Sequence, residues 1–402
     1  MAAQVHVISK EDISKHATVQ VDPQPAPLAD GSVRVRSKLL SITLNNRTYA
    51  LRGTLLKWWD TYPVPGHLPA PYNNTEQWGI VPSWGYGQVV DSRNPEIPAG
   101  TLLFGFWPTS SLPVDLQLKP TDTSGYFFEA SKHRQTLMTL YNRYEAVIEQ
   151  HAENLQAWNS AVMTVWSAGY FLAEYCFPAG QSRPIHPFGG GWTERDADLT
   201  STVVVSLAAS SKTARGLSWA LSQRDVSNSP LAVLEATSVP ETLHLSSSKS
   251  FATKAVSYDD VNSEVITQWI TKLRPQRILV ADCGAPPGVV QRFHDTVMTS
   301  NSAPSTFHLI CIGGGRDVLS TTDPKARTDF LNTSALMDTA IASSGLDSVY
   351  GGRSAAFKEW LNPGAMGALE LQWGSGVKGI DDAWEDMMGG RLPRNKALVF
   401  RI

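Results

Sequence analysis

Between Ser201 and Leu221 the chain reads STVVVSLAASSKTARGLSWAL, a β-branched run, a turn of small residues and an apolar-periodic helix. Such an order sets free backbone N–H groups at a helix N-terminus just beyond a strand, where they and the helix dipole attract phosphate. Glycine is usual in that turn because a Cβ collides with the ligand or the backbone. Here Ser210, Ser211 and Thr213 supply small hydroxyl side chains and Lys212 a cation, a set able to hold a pyrophosphate. A capped helix without a ligand fits the same letters. The segment is not a Walker A loop, because SSKT has the Lys-Thr pair without the preceding glycines.

A second group of residues is aromatic. TYALRGTLLKWWDTYP and SWGYG bring Tyr49, Trp58, Trp59, Tyr62, Trp84 and Tyr86, which suit a hydrophobic or aromatic small-molecule substrate and serve equally well as core. A tyrosine there could donate a proton to an enolate or alkoxide. Lys57, Asp60 and His67 lie nearby as acid–base candidates or as a surface loop. Glu235 closes the run LAVLE, where an acidic residue can hold a ribose diol. Asp282–Gly284 and Ile312–Gly315 put small residues after two later apolar runs. No G-x-S-x-G elbow is present, so acyl-transfer hydrolysis has no support.

Composition bounds the rest. With 402 residues, 42% hydrophobic and 18% charged, the chain is large enough for two domains. A net charge of -3 without a basic block argues against nucleic acid as a partner. Ala161–Phe177 is apolar but interrupted by Thr164, Ser167, Gly169 and Glu174, so it reads as a core helix and no membrane span is expected. Cys176, Cys283 and Cys311 are isolated and the opening MAAQVHVISKEDIS lacks a long apolar core, which together point to the cytoplasm. The nine histidines show no HxxxH or Cys/His cluster of ligand spacing.

These residues need elements to position them. Gln4–Ile8, Val33–Leu40, Tyr86–Val90 and Leu102–Trp107 read as strands between Pro- and Gly-bearing turns, which predicts a mostly β region over 1–125. Leu137, Leu140, Tyr141, Tyr144 and Ile148 then recur at helical spacing, predicting a helix from Tyr126, followed by the apolar one. Beyond the link FGGGWTERDADLT, strands at Val203–Leu207, Leu231–Leu234, Ile278–Ala281 and Phe307–Ile312 alternate with helices from Thr213, Ser263 and Val289. Alternation of this kind predicts a parallel, doubly wound sheet. Leu369–Gln372, a helix near Asp381–Met388 and a strand at Ala397–Ile402 break the rhythm.

This layout resembles the medium-chain dehydrogenases and reductases of the zinc-free, quinone-oxidoreductase and enoyl-reductase type. LNNRTYALRG, WGIVPSWGYGQVVDS and TLLFGFWPTS are similar to that superfamily's segments after and across the barrel. More narrowly, NNRTYA, WGIVPSWGYG, AASSKTA and SYDD (Ser257–Asp260) together resemble a fungal and bacterial family described only as a domain of unknown function.

The resemblance implies an α/β fold, with a GroES-like β-barrel domain over 1–125 and 345–402 and a Rossmann doubly wound parallel-sheet domain over 126–344. It places Asn45, Thr48 and Tyr49 nearest a nicotinamide, with Tyr62, Trp84 and Tyr86 completing the catalytic set. Ser210, Ser211, Lys212, Thr213, Ser238, Gly284 and Gly313 become the cofactor contacts. NADP (NADPH) is implied over NAD, because Ala236–Ser238 aligns with a 2'-phosphate loop and Lys249 and Lys254 are near in sequence. No metal is expected, since Pro82, Ser83 and Trp84 replace the Gly-His-Glu of zinc members and no cysteine precedes Cys176. Phe307–Ile312 is the expected sheet edge, through which members pair into a homodimer.

The function so implied is zinc-independent, NADPH-dependent reduction of an activated C=C or C=O in a bulky small molecule, with polyketide-like secondary metabolism as the setting. A non-redox isomerase, cyclase or C–C lyase with a degenerate nucleotide site is the alternative. A silent binding protein or synthase partner is a third reading.

Overall fold

The computed structural model of the protein describes residues 2–24, 26–147, 152–180, 182–243, 250–300, 303–313, 319–362, 366–393 and 395–402. Two compact units are distinguished, Met1–Thr164 with Leu369–Ile402, and Val165–Ala368.

The first unit is built on antiparallel pairing. Its strands are β1 (Ala3–Ser9), β2 (His16–Val21), β3 (Val33–Ile42), β4 (Trp78–Gly79), β5 (Pro82–Ser92), β6 (Leu102–Pro108), β7 (Val114–Leu116), β8 (Leu118–Pro120), β9 (Tyr126–Glu129) and β10 (Arg143–Ala146). The second unit contributes β11 (Thr202–Leu207), β12 (Ala232–Ala236), β13 (Ala252–Val256), β14 (Arg277–Asp282), β15 (Thr306–Ile312) and β16 (Ala326–Leu331), and the chain returns with β17 (Glu370–Ser375) and β18 (Lys396–Arg401) in the first. In the first unit β2-β1-β4 form one sheet, while the other runs β17-β18-β3-β5-β6-β10-β9-β8, with β7 against β3. β3 shows why: Val33, Val35, Ser37 and Leu39 are buried while Arg34, Arg36 and Lys38 face outward, the period-two pattern of a half-buried strand.

Tyr126 does not begin a helix. Strands β9 and β10 and two short 3₁₀ turns, Lys132–Arg134 and Thr139–Asn142, occupy the segment. The cause is Arg134, whose side chain is fully buried. Its guanidinium donates to the Tyr144 hydroxyl at 2.9 Å, the Tyr62 hydroxyl at 3.3 Å, the Tyr141 carbonyl at 2.7 Å and Asn142 Oδ1 at 3.0 Å, with Glu129 3.6 Å away. A buried cation needs every donor satisfied, and that demand fixes a backbone that helical spacing alone did not foresee. Ile148 lies outside the described residues.

In the six-stranded sheet of the second unit the strand pairings are parallel, in the order β13-β12-β11-β14-β15-β16. Numbered within the unit, that is 3-2-1-4-5-6, the doubly wound Rossmann order, whose direction reverses between β11 and β14. Val203, Val205, Leu234, Val280 and Leu309 on one face and Val204, Val233, Leu279 and Ile310 on the other are buried, as parallel strands covered by helices require. β15 is not the edge: it pairs with β14 on one side and β16 on the other. The outer strand ARTDFL escapes a reading by apolar runs because it is polar and half-exposed along its length. Helices Thr333–Ser344 and Leu346–Trp360 were also without a clear sequence signal.

Candidate functional site

The turn after β11 opens directly onto the switch between β11 and β14. Ala208 adopts φ 55°, the left-handed conformation that glycine takes at little cost. Ser211 is the N-cap of helix Lys212–Ser222, its Oγ accepting the Ala214 N–H at 3.2 Å. Ser210 Oγ lies 2.9 Å from Thr237 Oγ1 at the end of β12, and Ser210's carbonyl accepts from Arg215 Nε at 3.1 Å. Thr213 spends its hydroxyl on the Val165 carbonyl at 2.9 Å, so only its backbone N–H is available to a ligand. Ala208→Gly relieves the left-handed cost and is expected to raise unfolding stability by about 1 kcal/mol in a denaturant titration.

Lys212 is half-buried. Loss of water, reinforced by Arg215, pushes its pKa down to about 8, and among the described residues no carboxylate is recorded against it. An uncompensated cation at a helix N-terminus favours a bound anion. After β14, Asp282 Oδ1 accepts the N–H groups of Gly284 at 2.9 Å and Ala285 at 2.8 Å, shaping a turn in which Gly284 has φ 117°. Burial pushes the Cys283 thiol pKa up, and Ser211 hydrogen-bonds to it. Gly313, after β15, has φ 77°. Ser210, Ser211, Lys212 and Gly284 therefore belong to two turns at the switch.

Glu235 is not a free strand end. It is buried, hydrogen-bonded to Ser218 and beside Arg215, with its carboxyl pKa raised by loss of water. That carboxylate is engaged with the helix. Ser238 is exposed after Thr237, and Lys254 sits over the Trp269 ring at 5.7 Å. Lys249, Gly314 and Gly315 lie outside the described residues.

In the first unit, helix Leu44–Leu51 is fixed by a capping box: Thr43 accepts from the Asn45 N–H, and Asn46 Oδ1 accepts the Thr43 N–H at 2.8 Å. Its residues Asn45 and Thr48 are half-buried, three positions apart and so on one face. Tyr49 is buried, its hydroxyl accepting from Trp84 Nε1 at 3.1 Å and Asn45 Nδ2 at 3.3 Å. Around it stand Trp58, Phe106 and Tyr141, with ring centroids at 4.7, 5.1 and 5.8 Å. Burial pushes the Tyr49 phenol up to about 12, so it holds its proton at neutral pH.

Asn45, Tyr49 and Trp84 are thus brought together. Tyr62 is in the Arg134 cluster instead, donating to the Phe106 carbonyl at 2.6 Å. Tyr86 accepts from Asn159 Nδ2 at 3.0 Å and packs on Phe104. Pro82, Ser83 and Trp84 are interior strand residues, with Ser83 Oγ donating to the Ser41 carbonyl. Tyr141 and Phe106 join this group without a sequence signal of their own: helical spacing assigns Tyr141 to another element, and an apolar strand does not show which side of it Phe106 takes. His67 is exposed, and Lys57 and Asp60 form a half-exposed pair at 4.0 Å.

A family model described as protein of unknown function (DUF2855) matches residues 40–393. The chain belongs to that family. No curated protein matches the chain. Among solved structures it is similar to a mutant enoyl thioester reductase from Candida tropicalis, at 10% identity and TM-score 0.57 over 100% of both chains. It is also similar to CurA in complex with NADPH from Vibrio vulnificus, at 11% identity and TM-score 0.56 over 99% of this chain and 98% of that one. A third similarity is to the Etr1p/NADP/crotonyl-CoA complex, at 12% identity and TM-score 0.57 over 100% of both. This DUF2855 chain has the fold of the medium-chain reductases, a GroES-like domain plus a Rossmann domain. No helix among its described residues is long and apolar enough to cross a membrane.

Proposed function

We propose that this DUF2855 protein is a zinc-independent, NADPH-dependent reductase of an activated C=C or C=O in a bulky, hydrophobic small molecule. One observation carries the reading: Lys212, half-buried and without a recorded carboxylate partner among the described residues, stands at the helix N-terminus beside the strand-order reversal. The turn fits a pyrophosphate. Neither the Lys212 nor the Thr213 N–H has an acceptor among the described residues. Engagement of Glu235 with Ser218 removes the carboxylate that would oppose a 2'-phosphate, which supports NADP over NAD. Solved structures of similar fold hold NADPH in one case, and NADP with crotonyl-CoA in another.

The reduced nicotinamide supplies the hydride when the cofactor is bound. This chain's part is to hold the acceptor. A conjugated carbonyl gains charge on oxygen as its β-carbon is reduced, and that charge needs fixed donors. Asn45 has two amide hydrogens, one given to Tyr49, and the second is available to the substrate together with the Thr48 hydroxyl. Tyr49 and Trp84 keep Asn45 oriented. This reading is tested by NADPH consumption with a panel of enoyl thioesters and conjugated ketones before and after chelation. Turnover that survives chelation and falls at least tenfold in Asn45→Ala is expected. A panel without any NADPH oxidation contradicts the proposal.

A further inference from the structure

Separate from the turn and the aromatic group, the first unit gathers three residues that lie far apart in sequence. His6 on β1 pairs with Thr18 and Ile8 with His16, so His6 and His16 are diagonal neighbours on one face of the hairpin. Helix Gly376–Met388 brings Asp381 to them. His6 Nε2 lies 3.3 Å from His16 Nδ1 and 3.4 Å from Asp381 Oδ1, and His16 Nδ1 lies 2.7 Å from that same oxygen.

We propose that His6 Nε2, His16 Nδ1 and Asp381 Oδ1 bind one divalent zinc-type ion, with a fourth position left for water. Bonds of about 2.0–2.1 Å at tetrahedral angles set neighbouring donors about 3.3 Å apart. Two edges of this triangle already have that length. The third opens by about 0.6 Å when a metal replaces the proton shared by His16 and Asp381.

The surroundings are those a metal-bound histidine needs. Glu385 Oε2, one helical turn beyond Asp381, lies 3.1 Å from His16 Nε2 and accepts its proton, which leaves the Nδ1 lone pair facing the site. Lys378 holds the other Asp381 oxygen at 3.2 Å, turning Oδ1 inward. His6 is fully buried between Val5 and Val7, and its Nδ1 has no hydrogen-bond partner among the described residues. Hydrogen bonding at Nε2 offsets only part of the cost of burying this imidazole, and a bond from Nε2 to a metal would add to that offset. Trp384 closes the edge, its ring 5.8 Å from that of His6 and its Nε1 donating to the Ile13 carbonyl at 2.9 Å. The ion ties the N-terminal hairpin to the C-terminal helix, and none of its ligands belongs to the groups assigned to NADPH or substrate. Sequence spacing gave no sign of it, because the ligands come from positions 6, 16 and 381.

The test uses the full chain, stripped with a chelator and dialysed, then titrated with zinc alone and with cobalt(II) alone. One equivalent of zinc per chain, visible absorption of four-coordinate cobalt, and a higher thermal midpoint are expected, with NADPH affinity unchanged. Asp381→Asn and His16→Asn should weaken zinc at least 100-fold, and Glu385→Gln, which leaves all three ligands, by about 10–100-fold. His67→Ala should change nothing. Absence of uptake by the wild type, or equal uptake by wild type and Asp381→Asn, overturns the proposal. Circular dichroism confirms that each variant is folded when titrated.

Discussion

Gly169→Ala is expected to cost the second unit about 3 kcal/mol or more, because the added methyl meets backbone that cannot move aside. A Cβ there would lie 1.9 Å from the Thr213 carbonyl oxygen and 2.7 Å from the Leu217 nitrogen. The contact is reciprocal, since a Cβ on Gly216 would lie 2.1 Å from the Trp166 carbonyl oxygen. The two helices, Thr164–Phe171 and Lys212–Ser222, therefore touch backbone to backbone at the first turn after β11. Separating them moves Thr213 and with it the N–H groups assigned to phosphate. A fall in the thermal midpoint of about 6–12 °C follows for a unit of this size. Gly351→Ala, in helix Leu346–Trp360 with nothing within 4 Å of the new atom, serves as the control and should be neutral or slightly stabilising. Equal midpoints for Gly169→Ala and the parent would show that the helices are not packed in this way.

Ser211→Asp is the second large effect, and it falls on binding. The substitution keeps a good N-cap, so folding changes little. It sets a carboxylate beside the phosphates in a partly dry turn, and NADPH affinity should drop at least tenfold, about 1.4 kcal/mol. The same turn gives the affinity a pH dependence. Lys212 titrates near 8 in the free protein because loss of water and Arg215 disfavour its charge. A bound phosphate favours that charge, so below pH 8 the proton is already present and affinity is flat. Above pH 8 binding must take up a proton, and the dissociation constant should rise up to tenfold per pH unit. Lys212→Arg keeps its charge through this range and should flatten the profile. A wild-type dissociation constant that is constant from pH 7 to 9.5 removes Lys212 from the site.

The alternating half of the fold is readable because parallel strands covered on both faces are near-continuous apolar runs, as VVVSL and ILVAD nearly are. ARTDFL was not, since an edge strand need not be apolar, and its omission misplaced the sheet edge by one strand. The segment from Tyr126 misled for a different reason. Leu137, Tyr141 and Tyr144 are spaced as on a helix, yet each is buried by a local path set by Arg134, and one buried arginine leaves no periodic trace.

At the site, AASSKTARG announces a capped helix beside a strand, and Ala208, at φ 55°, holds in that turn the left-handed conformation that glycine takes at little cost. Residue type and resemblance point to Asn45, Tyr49 and Trp84, and hydrogen bonds join the three. Tyr62 was chosen on the same grounds and lies in another cluster. Aromatic residue type identifies neither face nor partner, so only the fold could separate the two.

The turn after β11 is proposed to hold NADPH in a working reductase. Calorimetric titration of the wild type with NADPH and with NADH at pH 7 tests it most directly. One NADPH per chain, tighter than NADH and at least tenfold weaker in Ser211→Asp, is the result predicted. A protein that binds neither nucleotide contradicts the account and turns the same scaffold toward isomerase, cyclase or lyase chemistry without a dinucleotide.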